Sequence, residues 1–155
     1  FDPNVNLTEV YQASKRLYRE GQVNEALNVL MKAHSVEPNN QKLNKLLGLM
    51  SFKGKDYATA VDILSQYLQM DPDTEEMWYY LSLSQKKMGR YLSSLEASKR
   101  VYEIHPENVN NLVNLSDLNR LTGKYKEAKE YSEKALELDP ENHNAKKILK
   151  YLEKV

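Results

Sequence analysis

The sequence predicts an all-α fold built from four tandem helix pairs, and three observations lead to that prediction. The chain of 155 residues contains only 5 Gly and 5 Pro, which disfavours all-β architectures and Gly-rich phosphate loops. Apolar residues inside a unit recur at i, i+3, i+4 and i+7, as they do between Leu43 and Met50, which is typical of one buried helix face. Four prolines recur at one constant interval, at Pro38, Pro72, Pro106 and Pro140.

The proline spacing divides the chain into units that each consist of two helices. The units are residues 7–40, 41–74, 75–108 and 109–142, followed by residues 143–155. A mid-unit glycine is expected to end each first helix in a left-handed conformation, at Gly21, Gly54, Gly89 and Gly123. The proline after each second helix prevents its continuation. Side chains that could cap the following first helices stand at Asn6, Thr74 and Asn108.

Small residues recur at one position of each second helix, at Ala26, Ala60, Ser94 and Ala128. They allow the paired helices to approach closely. Because one helix pair cannot cover its own apolar face, neighbouring pairs must stack, and a constant rotation between them produces a superhelix.

These motifs resemble the tetratricopeptide repeat (TPR) family, whose repeat length matches the proline interval. The residues that carry the resemblance are Trp78-x-x-Leu81 in the third unit, Leu47-Gly48 in the second, and Ala128, Ala135 and Asp139-Pro140 in the fourth. The resemblance covers nearly the whole chain and implies a right-handed α-solenoid of four helix-turn-helix repeats. Residues 143–155 are then expected to form a capping helix that covers the last exposed face.

The ends of the chain suggest that it belongs to a longer protein. Asp2-Pro3 repeats the endings Asp71-Pro72 and Asp139-Pro140, so we expect it to be the tail of an upstream repeat. We therefore predict a single TPR domain over residues 1–155, excised from a longer chain.

The composition excludes several function classes. The 22 Lys and Arg residues balance 22 Asp and Glu, so no net charge steers the chain onto nucleic acid or an anionic membrane. The absence of Cys excludes thiolate catalysis and thiolate metal sites, but it fits both the cytosol and the periplasm, which leaves the compartment open. The apolar runs are too short for membrane insertion.

The concave side of such a superhelix is expected to carry the functional surface, since it presents the first helices of successive units. Helical spacing places ten basic and two acidic residues on that arc, which includes residues of the last helix at Asn144, Lys147, Ile148, Tyr151, Lys154 and Val155. The candidate partner-binding residues are Tyr11, Lys15, Tyr18, Arg19, Lys42, Lys45, Leu49, Phe52, Lys53, Tyr79, Tyr80, Lys86, Lys87, Asn110, Asn114 and Arg120. Basic side chains would attract an acidic peptide or a C-terminal carboxylate, and the aromatic rings would supply rigid contact area.

No catalytic constellation is found in the sequence. The three histidines occupy different places in their units, and no pair has the i, i+4 spacing of a helical zinc motif. We therefore predict a non-catalytic protein-interaction scaffold without cofactor or metal. Two alternatives remain open: self-association through the terminal repeats and, less favoured, binding of single-stranded RNA in a basic groove with stacking aromatics.

Overall fold

The structure is a computed structural model that describes residues 6–155, and this part of the chain forms nine helices and no strand. The all-α prediction is therefore confirmed for the described residues. Asp2-Pro3, the predicted end of an upstream repeat, lies outside them. The helices are α1 (Leu7–Arg19), α2 (Val23–Val36), α3 (Gln41–Lys53), α4 (Tyr57–Met70), α5 (Glu75–Lys87), α6 (Tyr91–Ile104), α7 (Val109–Leu121), α8 (Tyr125–Leu138) and α9 (His143–Leu152).

The helices of the described residues belong to two compact units, called unit 1 and unit 2 from here on, and each of them contains two of the four helix pairs. Unit 1 is Phe1–Pro72 and contains α1 to α4, whereas unit 2 is Asp73–Val155 and contains α5 to α9. Within each unit every odd-numbered helix packs against the even-numbered helix that follows it, and α9 packs against α8 and α7. That residues 1–155 form one domain remains a prediction.

Asparagine side chains mark the starts of most odd-numbered helices, which begin at the same constant interval as the prolines. Asn6 accepts a hydrogen bond from the backbone N–H of Thr8, and Asn108 accepts one from that of Asn111, as predicted. Thr74 occupies the N-cap position of α5. Asn40 and Asn142 cap α3 and α9 in the same way, which the sequence analysis did not foresee. Each asparagine cap stabilises its helix by roughly 1 kcal/mol.

The φ angles in the turns between paired helices show that one of the four glycines is not left-handed as predicted. Gly21, Gly89 and Gly123 have φ angles of +82°, +75° and +80°, as expected for left-handed residues after a helix end. In the second turn this conformation belongs to Lys55, with φ at +63°, and Gly54 was therefore assigned wrongly. Gly54 is required for a different reason, because a Cβ atom there would lie 2.6 Å from Val23 Cγ1. The left-handed residues of the four turns are therefore separated by the same interval as the prolines. They are Gly21, Lys55, Gly89 and Gly123.

Small residues allow close contact between the two helices of each pair. Ser14, Ser82 and Ser116 are fully buried on their first helices, and Gly48 occupies the equivalent position in α3. A Cβ atom at Gly48 would lie 2.7 Å from Leu64 Cδ2, so the small side chain there is a steric requirement. The buried serine hydroxyls also form hydrogen bonds. The Ser82 hydroxyl, for example, donates to the backbone oxygen of Ser94 at 2.8 Å.

A buried polar network connects the helices of unit 2. The Asn111 amide donates to the Ser98 backbone oxygen at 2.9 Å, and the Ser98 hydroxyl donates to Asn111 Oδ1 at 2.7 Å. The Asn114 amide donates to the hydroxyls of Ser82 and Ser98 at 2.8 and 3.3 Å. All four side chains are almost fully buried, so each bond satisfies a polar group that water cannot reach.

Candidate functional site

The structure gathers most of the predicted binding residues into two grooves, one in each unit. The groove of unit 1 has a volume of about 290 Å³ and is lined by Tyr11, Lys15, Lys42, Lys45, Leu46 and Leu49. All six belong to α1 and α3, the first helices of their pairs, and five of them are predicted site residues. Their sequence spacing of three and four places them on one face of each helix.

The groove of unit 1 combines an apolar floor with charged lining residues that are all lysines. Leu46 and Leu49 are half-buried, all three lysines are exposed, and none of the groove residues among 6–155 carries a carboxylate. The Lys42 ammonium lies 4.8 Å from the centre of the Tyr11 ring, a cation–π contact that fixes both side chains. Burial, and to a smaller extent the charge of Glu37, raise the pKa of Tyr11, so its hydroxyl stays a hydrogen-bond donor at neutral pH.

The groove of unit 2 is larger, about 510 Å³, and has three helical walls. Helix α5 contributes Tyr79, Leu83 and Lys86, and α7 contributes Asn110, Val113, Asn114, Asp117 and Arg120. The third wall is α9 with Asn144, Lys147, Ile148 and Tyr151, beside its capping residue Asn142. Five predicted site residues therefore meet here: Tyr79, Lys86, Asn110, Asn114 and Arg120.

Ion pairing determines the electrostatics of the groove of unit 2. Asp117 Oδ2 lies 2.6 Å from Lys86 Nζ, and its Oδ1 lies 2.7 Å from the nearest guanidinium nitrogen of Arg120. Burial raises the pKa of Asp117, but the hydrogen bonds and positive charges of Lys86 and Arg120 outweigh burial and lower it below the ordinary value. The Arg120 guanidinium also lies 5.0 Å from the centre of the Tyr151 ring, so one ionic cluster connects α5, α7 and α9.

Asn114 contributes to this groove mainly as a structural residue. Only 3% of it is exposed, and its amide protons are donated to Ser82 and Ser98. Its Oδ1 accepts a hydrogen bond from Lys86 Nζ at 3.3 Å. Asn110 is exposed at the rim, so it is the asparagine of the predicted pair that can reach a peptide backbone.

Six predicted site residues line neither groove: Tyr18, Arg19, Phe52, Lys53, Tyr80 and Lys87. Arg19, Lys53 and Lys87 are exposed in the last turns of their helices, where positive charge complements the helix dipole. Two of the aromatic residues form ring contacts: Phe52 meets Tyr57 edge-on at 6.0 Å, and Tyr80 meets Tyr79 at 5.8 Å. Tyr18 packs against the core of unit 1.

The candidate set omitted groove residues that the repeat interval could have found. Two sets of groove residues occupy equivalent positions in successive odd-numbered helices. They are Lys45, Tyr79, Val113 and Lys147, and Lys15, Leu49, Leu83, Asp117 and Tyr151. The last helix therefore repeats the pattern of the first helices before it. The sequence analysis placed residues of this helix on the concave arc but did not include them among the candidate binding residues.

Neither metal nor membrane features occur in the part of the chain that the structure describes. Residues 6–155 contain no cluster of His, Cys, Asp and Glu side chains that could hold a metal ion. No helix among them has the length and apolarity that crossing a bilayer requires.

Helix pairs that recur at a constant interval, with grooves formed by the first helix of each pair, define a helical-repeat scaffold of the protein-interaction class. Tetratricopeptide-repeat profiles match residues 17–83 and 109–142, together more than half of the chain. The protein therefore belongs to the tetratricopeptide repeat family. No curated protein sequence matches the chain.

Solved structures of MamA share this fold. MamA from MSR-1 is 20% identical, with a TM-score of 0.84 over 90% of this chain and 81% of MamA. MamA from AMB-1 gives the same identity and TM-score over 92% of this chain and 85% of its own. A further MamA crystal structure is 24% identical, with a TM-score of 0.80 over 90% and 81% of the two chains. These likenesses confirm the predicted fold class, an α-solenoid of TPR helix pairs.

Proposed function

We propose that this protein is a non-catalytic scaffold that binds an acidic peptide or an acidic segment of a partner protein through the faces of its first helices. The observation that carries the proposal is the groove of unit 1. Three exposed lysines surround a floor of Leu46 and Leu49, and the lining residues that the structure describes include no carboxylate. A ligand that offers carboxylates beside apolar side chains complements both parts of this surface.

Electrostatic attraction alone would give weak and unspecific binding, so the aromatic and apolar parts matter. The Tyr11 ring, held by Lys42, offers rigid contact area at little entropic cost. Leu46 and Leu49 are already half-covered by their neighbours, and a ligand side chain would bury the remainder. The lysines then provide orientation and a faster encounter, both of which depend on salt.

The experiment measures the fluorescence anisotropy of a labelled peptide of alternating Glu and Leu residues as protein is added. The double variant Lys42→Glu/Lys45→Glu is expected to weaken binding by about tenfold or more, because it reverses two of the three groove charges. The matched control is Arg16→Glu/Lys32→Glu, which changes the net charge equally at exposed positions outside the groove.

Three outcomes would contradict the proposal. An equal loss of affinity in both double variants would show that only the overall charge matters. Binding that is insensitive to salt would contradict the electrostatic contribution, since screening over about 10 Å at roughly 0.1 M salt reaches these exposed lysines. Displacement of the peptide by a single-stranded oligonucleotide, but not by an unlabelled acidic peptide, would assign the groove to nucleic acid.

A further inference from the structure

The two grooves present different charges to a ligand. In the groove of unit 1, no carboxylate of the described part of the chain lines the surface beside the lysines. In the groove of unit 2, Lys86 and Arg120 share the carboxylate of Asp117, and both of its oxygens are in use. A ligand carboxylate that approached this pair would meet the negative charge of Asp117 as well, so the pair offers it little net attraction.

Helix α9 supplies the cation that remains available in the groove of unit 2. Lys147 is exposed and forms no ion pair with any residue of the described chain, 6–155. It precedes Ile148, which is 8% exposed and lines the groove together with Leu83 and Val113. Tyr151 follows one turn later on the same face and stacks on Arg120. The free charge therefore stands directly beside the apolar part of the groove.

We propose that the groove of unit 2 binds a peptide segment with an apolar side chain next to a single carboxylate, and that Lys147 of α9 holds this carboxylate. The proposal rests on the function proposed above and specifies the ligand chemistry of one of its two grooves. The apolar side chain would lie against Leu83, Val113 and Ile148. Charge complementarity with Lys147 selects the acidic neighbour.

This assignment gives α9 a recognition role in addition to its capping role, and it gives Asp117 a role in selectivity. Asp117 keeps Lys86 and Arg120 occupied, and its charge repels a second ligand carboxylate. The groove of unit 2 should therefore prefer an amphipathic segment with a single carboxylate, whereas the groove of unit 1 is suited to a segment with several carboxylates beside apolar side chains.

The test uses nuclear magnetic resonance of the ¹⁵N-labelled full chain with two capped peptides added to millimolar concentration. One peptide has the sequence Ser-Gly-Leu-Glu-Leu-Gly-Ser, and the other carries Gln in place of Glu, so the two differ only in charge. Both should shift the amide signals of α7 and α9, and the Glu peptide should bind about two- to fivefold more tightly, the range of an exposed ion pair. Lys147→Ala should abolish this difference. Lys150→Ala, an exposed lysine of the same helix outside the groove, should preserve it.

A third variant tests the role of Asp117. Asp117→Asn leaves Lys86 and Arg120 without their carboxylate, so the preference for the Glu peptide should exceed that of the unchanged protein. The proposal is overturned if Lys147→Ala retains the preference while Lys86→Ala removes it, or if neither peptide shifts the amide signals of α7 and α9. If the peptides shift only signals of α1 and α3, this inference fails while the proposed function stands. If they shift neither set, both fail.

Discussion

Replacement of Ser98 by Ala is expected to destabilise the protein although it removes a single oxygen atom. The Ser98 hydroxyl donates to Asn111 Oδ1 at 2.7 Å and accepts from the Asn114 amide at 3.3 Å. Asn111 is only 1% exposed, so water cannot easily replace the lost donor. An unsatisfied buried acceptor costs about 1–3 kcal/mol, and the better helix propensity of Ala returns at most about half a kcal/mol. For a chain of this length, the melting temperature should fall by about 2–8 °C.

The assay is thermal unfolding followed by far-ultraviolet circular dichroism, with Ser93→Ala as the control. Ser93 is exposed on the same helix, so its replacement should change the free energy of unfolding by no more than about 0.5 kcal/mol. Adding Asn111→Leu to Ser98→Ala removes both partners of the bond, and the double variant should therefore lose less stability than the two single changes added together. Equal melting temperatures for Ser98→Ala and Ser93→Ala, or strict additivity in the double variant, would refute the reasoning.

Three further predictions concern the charge cluster, a turn and the last helix. The pKa of Asp117 is lowered in the folded state, so Asp117 stabilises the fold at neutral pH and this contribution is lost as the pH falls through its folded pKa. Asp117→Asn should therefore lower the melting temperature at neutral pH, and the loss should shrink as the pH is lowered; a loss that does not change with pH would contradict the ion-pair explanation. Lys55→Gly should raise the free energy of unfolding by about 0.5–1 kcal/mol in urea titrations, because a left-handed φ of +63° strains any residue with a Cβ atom; a destabilised variant would show that the lysine side chain stabilises the turn. Deletion of residues 146–155 should lower the melting temperature or cause aggregation visible in light scattering, since α9 covers α7 and α8, and an unchanged melting curve would disprove a covering role.

The parts of the fold that sequence reasoning could predict are those that depend on local signals. Proline spacing, apolar periodicity and Asn or Thr at helix starts act within a few residues, and they led to the helix pairs and to the caps at Asn6 and Asn108. The mistake at Gly54 has a nonlocal cause. Its lack of a side chain makes room for Val23, which belongs to the preceding helix pair, and the left-handed residue is its neighbour Lys55.

The candidate site could be predicted as a set of helix faces but not as a distribution of charge. Helical spacing alone placed Lys86 and Arg120 on the concave arc, and the structure shows that they line one groove together with Asp117. That Asp117 bonds to both depends on the distance between α5 and α7, which no local pattern encodes. The contribution of two serines of α6 could not be predicted either. Ser94 and Ser98 have low helix propensity, and they stabilise the fold only through their hydrogen bonds to Ser82 and Asn111 on the neighbouring helices.

If the groove of unit 2 binds a ligand as proposed, helix α9 couples the occupancy of that groove to the folding of the C-terminal end. Ala145 and Ile148 are buried against the last helix pair, while the neighbouring Lys147 and Tyr151 line the groove, so one short helix both covers that pair and forms a wall of the groove. By thermodynamic linkage, a ligand that contacts both α7 and α9 must stabilise α9 against fraying, by an amount that grows with the logarithm of its concentration. Hydrogen exchange of the α9 amides would then report binding directly, and proteolytic trimming of this end would remove affinity and stability together.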